Sequence, residues 1–307
     1  MLSQTNELTK ETISAYFRDL QDRICRALEE ADGTGKFEED SWERIGGGGG
    51  RSRVMQEGAV LEKGGVGFST VWGDLHETTR RAMNLDEGVQ FYATGVSIVM
   101  HPRNPHVPII HMNVRYFELS NGDFWFGGGI DLTPHYVVEE DARWFHQQLK
   151  TVCDRFSPDY YPHFKTWADD YFFSPHRNET RGVGGIFFDY LKPTEKLPTE
   201  RLFGFVKGIG ESFAPIYTAL IFRHKQDSFG ENEQQWQLLR RGRYVEFNLV
   251  HDRGTKFGLE TNGRTESILM SLPPLARWVY NYQPEPGSRE EQTLAWLRKG
   301  VDWVVAP

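Results

Sequence analysis

Residues 109–132 read IIHMNVRYFELSNGDFWFGGGIDL, and the way this stretch pairs with itself decides the fold. Val107–Leu119 alternates apolar and polar residues with the two-residue period of a strand. One face carries His111, Asn113, Arg115 and Phe117, the other Ile110, Met112, Val114 and Tyr116. Asn121-Gly122 is a strong short hairpin signal, and Phe124–Leu132 supplies the partner strand. With a two-residue turn, Ser120 pairs with Asp123 and Arg115 lies opposite Gly128. The same pairing sets Asp131 opposite Met112, on the apolar face. A bulge within Gly127–Gly129 is therefore expected, because it would carry Asp131 across to the polar face. Glycines at these positions leave room above Arg115 for a large flat ligand.

Working outward, Phe91–Met100 is an apolar run in which Ser97 and Val99 share a face with His101. His101, His106 and His111 fall within eleven residues. Imidazoles with a carboxylate suit zinc, iron or manganese, but there is no HExxH and the spacing matches no self-contained metal motif. Hydrogen-bonded structural histidines explain His101 and His111 equally well. His106, between two prolines, reads as loop.

The flanking chain alternates helices with further strands. Ile13, Phe17, Leu20, Ile24 and Leu28 recur at helical spacing, giving an amphipathic helix over residues 7–31. Glu139–Phe156 and His163–Phe173 read as helices, Ile186–Tyr190 as a short strand, and residues 199–225 as helices interrupted at Pro215. Gln234–Arg241 ends a helix leading into a strand at Tyr244–His251. Phe257–Thr261 and Arg264–Leu272 read as a second hairpin about Asn262-Gly263, and residues 288–300 as a closing helix. Hairpin-joined strands with helices around them indicate an α+β fold, one large antiparallel sheet flanked by helices on both faces. No repeat or linker divides residues 1–307, so a single domain is expected.

Composition narrows the function. The chain has 307 residues, a formal charge of −8, and 21 Phe, 12 Tyr and 9 Trp. The negative charge argues against non-specific nucleic-acid or anionic membrane binding. No apolar run reaches the ~20 residues of a membrane helix. Two cysteines, Cys25 and Cys153, are too few for a disulfide framework, and a cytoplasmic setting follows. The five-glycine run Gly46–Gly50 lacks the Gly-Lys-Ser/Thr of a phosphate loop. Followed by Arg51 and Arg53, it reads as a flexible loop and a possible lid over an anion. Arg51, Arg115, Arg177, Arg253 and Arg264 together suit several carboxylates, which guanidinium groups bind bidentately.

The segments NVRYFE (113–118), FWFGGGIDLTP (124–134), PHRNETRGVGGIFFD (175–189), RGRYVEFNLVHDRGTKFGLET (241–261) and RTESILMSLPP (264–274) resemble the oxygen-dependent coproporphyrinogen III oxidases. The likeness runs along nearly the whole chain. It implies oxidative decarboxylation of two propionates of coproporphyrinogen III to vinyl groups, giving protoporphyrinogen IX. Dioxygen is then the co-substrate, with no flavin or haem. By position, the resemblance assigns substrate contacts to Ser97, Asn113, Val114, Arg115, Asn262, Gly263 and Arg264. It assigns a metal set, manganese being the candidate, to His101, His111, His146 and His176, with His111 also a proton donor. Asn262 replaces a glycine of the family pattern. A homodimer through about Tyr244–Val279 is also implied.

These demands agree with the residues. A tetracarboxylate needs arginines, and a macrocycle needs a flat, glycine-lined pocket. A carboxylate, Asp131 or Asp252, would take a pyrrole N–H proton while Arg115 and Arg264 hold propionates. A mononuclear metal oxygenase and a tetrapyrrole carrier are the competing classes.

Overall fold

The computed structural model describes residues 8–260 and 263–304. The first helix, α1 (Lys10–Asp32), starts where Thr9 and Thr12 cap one another and ends at Gly33 in the left-handed region. Its buried stripe, Ile13, Phe17, Leu20, Ile24 and Leu28, has the spacing of a helix pressed on a core. Three strands follow, β1 (Glu38–Glu43), β2 (Gly48–Gln56) and β3 (Leu61–Asp74), then a short helix α2 (Glu77–Ala82). The long strands β4 (Gln90–Pro102), β5 (Ile109–Leu119) and β6 (Phe124–Thr133) form the centre of the sheet. Helices α3 (Glu139–Asp154) and α4 (Tyr160–Tyr171), a ribbon of β7 (Phe173–Ser174) and β8 (Glu179–Thr180), and strand β9 (Gly184–Leu191) come next. The chain ends in α5 (Thr199–His224), α6 (Glu231–Val250), α7 (Arg253–Glu260), α8 (Thr265–Leu269) and α9 (Arg289–Trp296).

Among the described residues, one seven-stranded antiparallel sheet runs β1-β2-β3-β4-β5-β6-β9. Helices α1 and α5 lie across one face and bury Val96, Ile98, Met112, Val114, Phe126 and Ile130. On the opposite face α6 seats Tyr244 on Val99 and Ile109. Helix α4 wraps the β9 edge, with Phe164 against Phe188 on one side and Tyr171 stacked on Phe187 at 4.1 Å on the other. That wrapping covers an edge whose backbone groups would otherwise invite pairing.

Several expectations change. The turn between β5 and β6 has three residues, not two: Leu119 pairs with Asp123, and Gly122 takes φ +91°. The register moves by one, so Arg115 faces Gly127 and His111 faces Asp131 through a regular ladder. No bulge is needed on this side, and Asp131 reaches the polar face all the same. The irregularity lies on the other edge of β6, between Phe126 and Gly128, where Asp189 and Tyr190 of β9 make the extra residue and Tyr190 adopts φ +49°.

The glycine run is not a lid. Gly46 and Gly47 turn the chain, while Gly48–Gly50 pair within β2 between Glu43–Trp42 and Ser69–Val71. The expected strand at Tyr244–His251 is the end of α6, because Trp236, Arg240, Tyr244 and Phe247 form one buried helical stripe. The second hairpin is likewise helical: α7 is capped by Asp252, whose Oδ2 accepts from Thr255 N at 2.7 Å, and α8 follows. Pro215 does not break α5, since burial of Phe213, Ile216, Tyr217 and Leu220 around it offsets the ~3 kcal/mol of a lost helical bond.

Asp32 ties the end of α1 to the β2–β3 turn. Its carboxylate accepts from the backbone N–H of Gly35, Ala59, Val60 and Leu61 at 2.7–3.0 Å. Burial works to raise its pKa, but the N–H groups of Leu61, Gly35, Val60 and Ala59 outweigh burial and lower it to about 2. A depressed carboxyl stabilises the fold above its unfolded pKa and loses that contribution as pH falls through the folded one. Asp32→Asn is expected to lose roughly 2–3 kcal/mol at pH 7 by urea denaturation. The difference from the parent should shrink between pH 4 and pH 2.

Candidate active site

Strand alternation gathers the polar residues on the face covered by α6–α8. Read across the sheet, one row runs Trp42, Gly50, Ser69, Gly95, Arg115, Gly127. The next runs Asp40, Ser52, Gly67, Ser97, Asn113, Gly129 and Phe187. A third carries Val99, His111 and Asp131. From β2 to β4 these two rows carry only glycine and serine, with the Trp42 ring lying over Gly50 and Ser52, so the sheet presents a flat strip of floor leading to Asn113 and Arg115. Met270, following α8, reaches over Gly65 and Gly67 and roofs the β3 end. Phe91, Phe117, Trp125 and Tyr190 stack in sequence at centroid distances of 5.8, 4.6 and 4.9 Å and wall the other side.

His111 stands beside this floor. Its Nδ1 lies 2.7 Å from Asp131 Oδ1. Asp131 is fully buried and doubly held by Arg181, whose Nη2 donates to Oδ1 at 2.8 Å and Oδ2 at 2.7 Å. Burial alone would raise the Asp131 carboxyl, but the Arg181 charge and the His111 hydrogen bond hold it below its ordinary value. An ionised carboxylate only accepts, so Nδ1 of His111 carries the proton and Nε2 is left for a ligand. Arg181 lies within the motif PHRNETRGVGGIFFD, and the sequence by itself gives it no role. Its partner lies fifty residues earlier, and no local signal joins them.

The arginines separate. Arg115 stretches across Gly127, donates Nη1 to Asn113 Oδ1 at 2.9 Å and pairs with Asp189 at 2.8 Å. Asp189 was missed, although a carboxylate inside the apolar segment IFFDY was a legible signal. Arg264 caps the start of α8, bonded to Asp40 and to Ser267, which meets Ser52 of the floor. With ~4.8 Å per strand, β1 and β5 lie about 19 Å apart, so Arg115 and Arg264 anchor opposite ends. Arg51 points to the other face, onto Gln21 and Asp22 of α1, and Arg177 is clamped by Glu246. Arg253 lies over the Tyr171 ring. Ser97 and Asn113 face one another on the floor. Val114 points into the core, so only its backbone can meet a ligand there. Gly263 sits between α7 and α8, its N–H bonded to Gly258 O at 2.8 Å, and Asn262 lies outside the described residues.

Asp252 is half-buried at the β9 end of the floor. Besides capping α7 it accepts from the Tyr171 hydroxyl at 3.0 Å, and Tyr171 lies on Phe187.

The four histidines of the expected metal set do not share a point. His146 is buried with Nδ1 on the Tyr161 hydroxyl and Nε2 on Val183 O, at 2.9 and 3.0 Å, so both ring nitrogens are committed. His101 gives Nε2–H to Ser271 O at 2.8 Å, and burial lowers its pKa to about 3, as it does for His146. His176 is exposed and bonded to His251 and Glu246. Among the described residues no group of three or more His, Cys, Asp or Glu is arranged to hold a metal ion. The four residues do not fit a common cation.

A flat glycine–serine strip with a guanidinium toward each end and a histidine–carboxylate pair beside it suits a large, flat, multiply acidic ligand. A family model described as coproporphyrinogen III oxidase matches residues 12–303. The chain belongs to the coproporphyrinogen III oxidase family. Its activity is the oxidative decarboxylation of coproporphyrinogen III propionates to vinyl groups, with dioxygen as oxidant, in haem biosynthesis. The fold agrees with the α+β arrangement read from the sequence. No helix among the described residues is long and apolar enough to cross a membrane.

A methyl group at Gly127 would lie 2.7 Å from Arg115 Nε and Nη2 and from Asp189 Oδ1. Gly127→Ala is therefore expected to displace this half-buried ion pair with little loss of thermal stability. KM for coproporphyrinogen III should rise about tenfold or more while kcat changes less.

Proposed function

We propose that coproporphyrinogen III lies on the glycine–serine floor with propionates held by Arg115 at one end and Arg264 at the other. The observation that carries this reading is the strip of Ser69, Gly95 and Ser97, free of any large side chain of its own, between the Arg115 guanidinium on one side and that of Arg264, held on Asp40 and Ser267, on the other. A macrocycle needs that flatness, and Asn113 directs Arg115 through the 2.9 Å bond. Positioning of the reacting propionate against dioxygen is the contribution of these residues.

For each propionate, one dioxygen and one proton are consumed, and vinyl, carbon dioxide and hydrogen peroxide are formed. The electron-rich pyrrole supplies the electrons. Asp252, bonded by one hydroxyl and one backbone N–H, takes the pyrrole N–H proton as dioxygen adds to the ring. The ring-bound peroxide then removes the propionate β-hydrogen and leaves as hydroperoxide, the carboxylate departs as carbon dioxide with its electron pair forming the vinyl group and returning the ring to a pyrrole, and Asp252 gives the proton back to the pyrrole nitrogen. His111, its Nδ1–H held by Asp131, takes up the consumed proton from solvent at Nε2 and passes it from Nε2 to the departing hydroperoxide. Asp131 is unsuited to the base role because Arg181 already holds both its oxygens; its part is to orient His111. The histidines act here as proton-transfer and structural groups, a reading supported by the commitment of His101 and His146 to backbone carbonyls.

We also infer a single domain over residues 1–307, supported by one core cluster that runs from Ile13 to Trp303. A homodimer through about Tyr244–Val279 is supported by the exposure of Leu249, Val250, Leu259, Leu275 and Trp278, an apolar set large for a free surface. The reducing cytoplasm suits its two buried free cysteines.

His111→Ala is expected to lower kcat by about 10²–10⁴-fold with KM within a few-fold of the parent, and Asp252→Asn to act similarly. The assay is chromatographic measurement of protoporphyrinogen. Chelator-treated protein should keep its turnover with dioxygen alone; activity restored only by a divalent cation would overturn the metal-independent reading. Leu275→Glu should convert the dimer to monomer in sedimentation velocity, and a parent protein that already sediments as a monomer would remove the interface.

A further inference from the structure

Arg181 is buried to 5% exposure in the loop before β9, with its guanidinium enclosed by three rings. Phe172 of the α4 end, Phe247 and Tyr244 of α6 lie 4.3, 4.8 and 5.0 Å from its central carbon. Its hydrogen bonds go to two side chains. Nη2 and Nε hold Asp131, and Nη1 donates to Asn248 Oδ1 at 2.8 Å. A buried guanidinium is costly to desolvate and is seldom retained as a source of net stability. Here it also cannot bind substrate, because no part of it is open to the floor. What it does touch is the carboxylate that orients the proton-transfer histidine, and its Nη2 comes within 3.5 Å of His111 Nδ1 itself.

We propose that Arg181 is a positioning residue of the oxidase reaction: by clamping both oxygens of Asp131 it fixes His111 as the Nδ1–H tautomer with Nε2 turned to the substrate. The inference rests on the reading of His111 as the proton-transfer group. The geometry admits no other service for Asp131. With its oxygens held at 2.7–2.8 Å by Nη2, the carboxylate cannot rotate away from His111 or accept a proton from substrate. The aromatic rings keep Arg181 from swinging out, and Asn248 fixes the roll of its guanidinium plane. Lysine cannot reproduce the fork, since a point ammonium has no two-pronged donor face. Charge balance is local: the groups facing the His111–Asp131–Arg181 cluster are Tyr244 from α6 and Asp252 before α7, with His101 at the end of β4 beyond Tyr244.

The test uses the full-length enzyme and three variants, Arg181→Met, Arg181→Lys and Arg181→Met with Asp131→Asn. Each is assayed with coproporphyrinogen III and dioxygen, and the His111 ring nitrogens are followed by ¹⁵N NMR without substrate. In Arg181→Met, kcat should fall about 100-fold or more with KM within about threefold, and the His111 signals should show both tautomers. Arg181→Lys, which keeps the charge but not the fork, should recover only part of the Nδ1–H population and part of kcat. The double variant removes the unpaired buried carboxylate, so it should regain thermal stability over Arg181→Met without regaining kcat. If Arg181→Met keeps a pure Nδ1–H tautomer, the proposal is overturned, whatever the activity. So too if the double variant recovers both stability and turnover. Full activity of His111→Ala would instead sink the proton-transfer reading alone, because the tautomer of His111 in the Arg181 variants is read independently of turnover.

Discussion

The three-residue turn at Ser120–Gly122 sets the register on which the whole site depends. Strand side chains alternate with a period of two, so a slip of one residue exchanges the faces. With Leu119 opposite Asp123, Asp131 arrives beside His111 and Gly127 beside Arg115. A two-residue turn would have buried Asp131 against Met112 with nothing to neutralise it. The turn is affordable because Gly122 takes φ +91°, where a side chain would be strained. The compensating irregularity is displaced to β9, where it swings Asp189 to Arg115.

From that register follows a division of labour between the two faces of one sheet. Val96, Ile98, Met112, Val114 and Ile130 face α1 and α5 and supply the apolar burial that holds the domain together. The opposite face can then carry glycine and serine across β2 to β4, because stability does not depend on filling that strip. Glycine and serine make the floor, and Asn113, Arg115 and His111 are the polar side chains that β5 sets along it. Deep under α6, Asp131 and Arg181 form a desolvated ion pair that is expensive to bury but leaves the carboxylate one orientation.

The histidines illustrate how chemistry and placement diverge. His101, His111, His146 and His176 look alike in sequence, yet each has a different environment: a backbone carbonyl, a buried carboxylate, a tyrosine with a carbonyl, and an exposed partner histidine. Burial drives His101 and His146 to the neutral form and their lone pairs and N–H groups are used in packing the sheet against its helices. Only His111 stands at the floor with a carboxylate behind it.

Much was legible in the residues alone. Alternation in Ile109–Leu119 announced the strand and sorted its faces correctly, and the periodic stripe of α1 announced that helix, because both patterns are local consequences of backbone geometry. The glycine-rich β6 and the long motifs pointed to a flat, arginine-anchored site and to the family. What the sequence could not determine was anything settled by partners far along the chain. Tyr244–Val250 has the composition of a strand, but its side chains find the sheet at helical intervals, so packing made it helix. Asp131 and Arg181 meet across fifty residues, and the turn that aligns Asp131 with His111 differs by one residue from the commoner type. Local propensity fixes periodicity; register, long-range ion pairs and which carboxylate is free are decided only when the elements pack, because those energies arise from contacts that no neighbouring residue encodes.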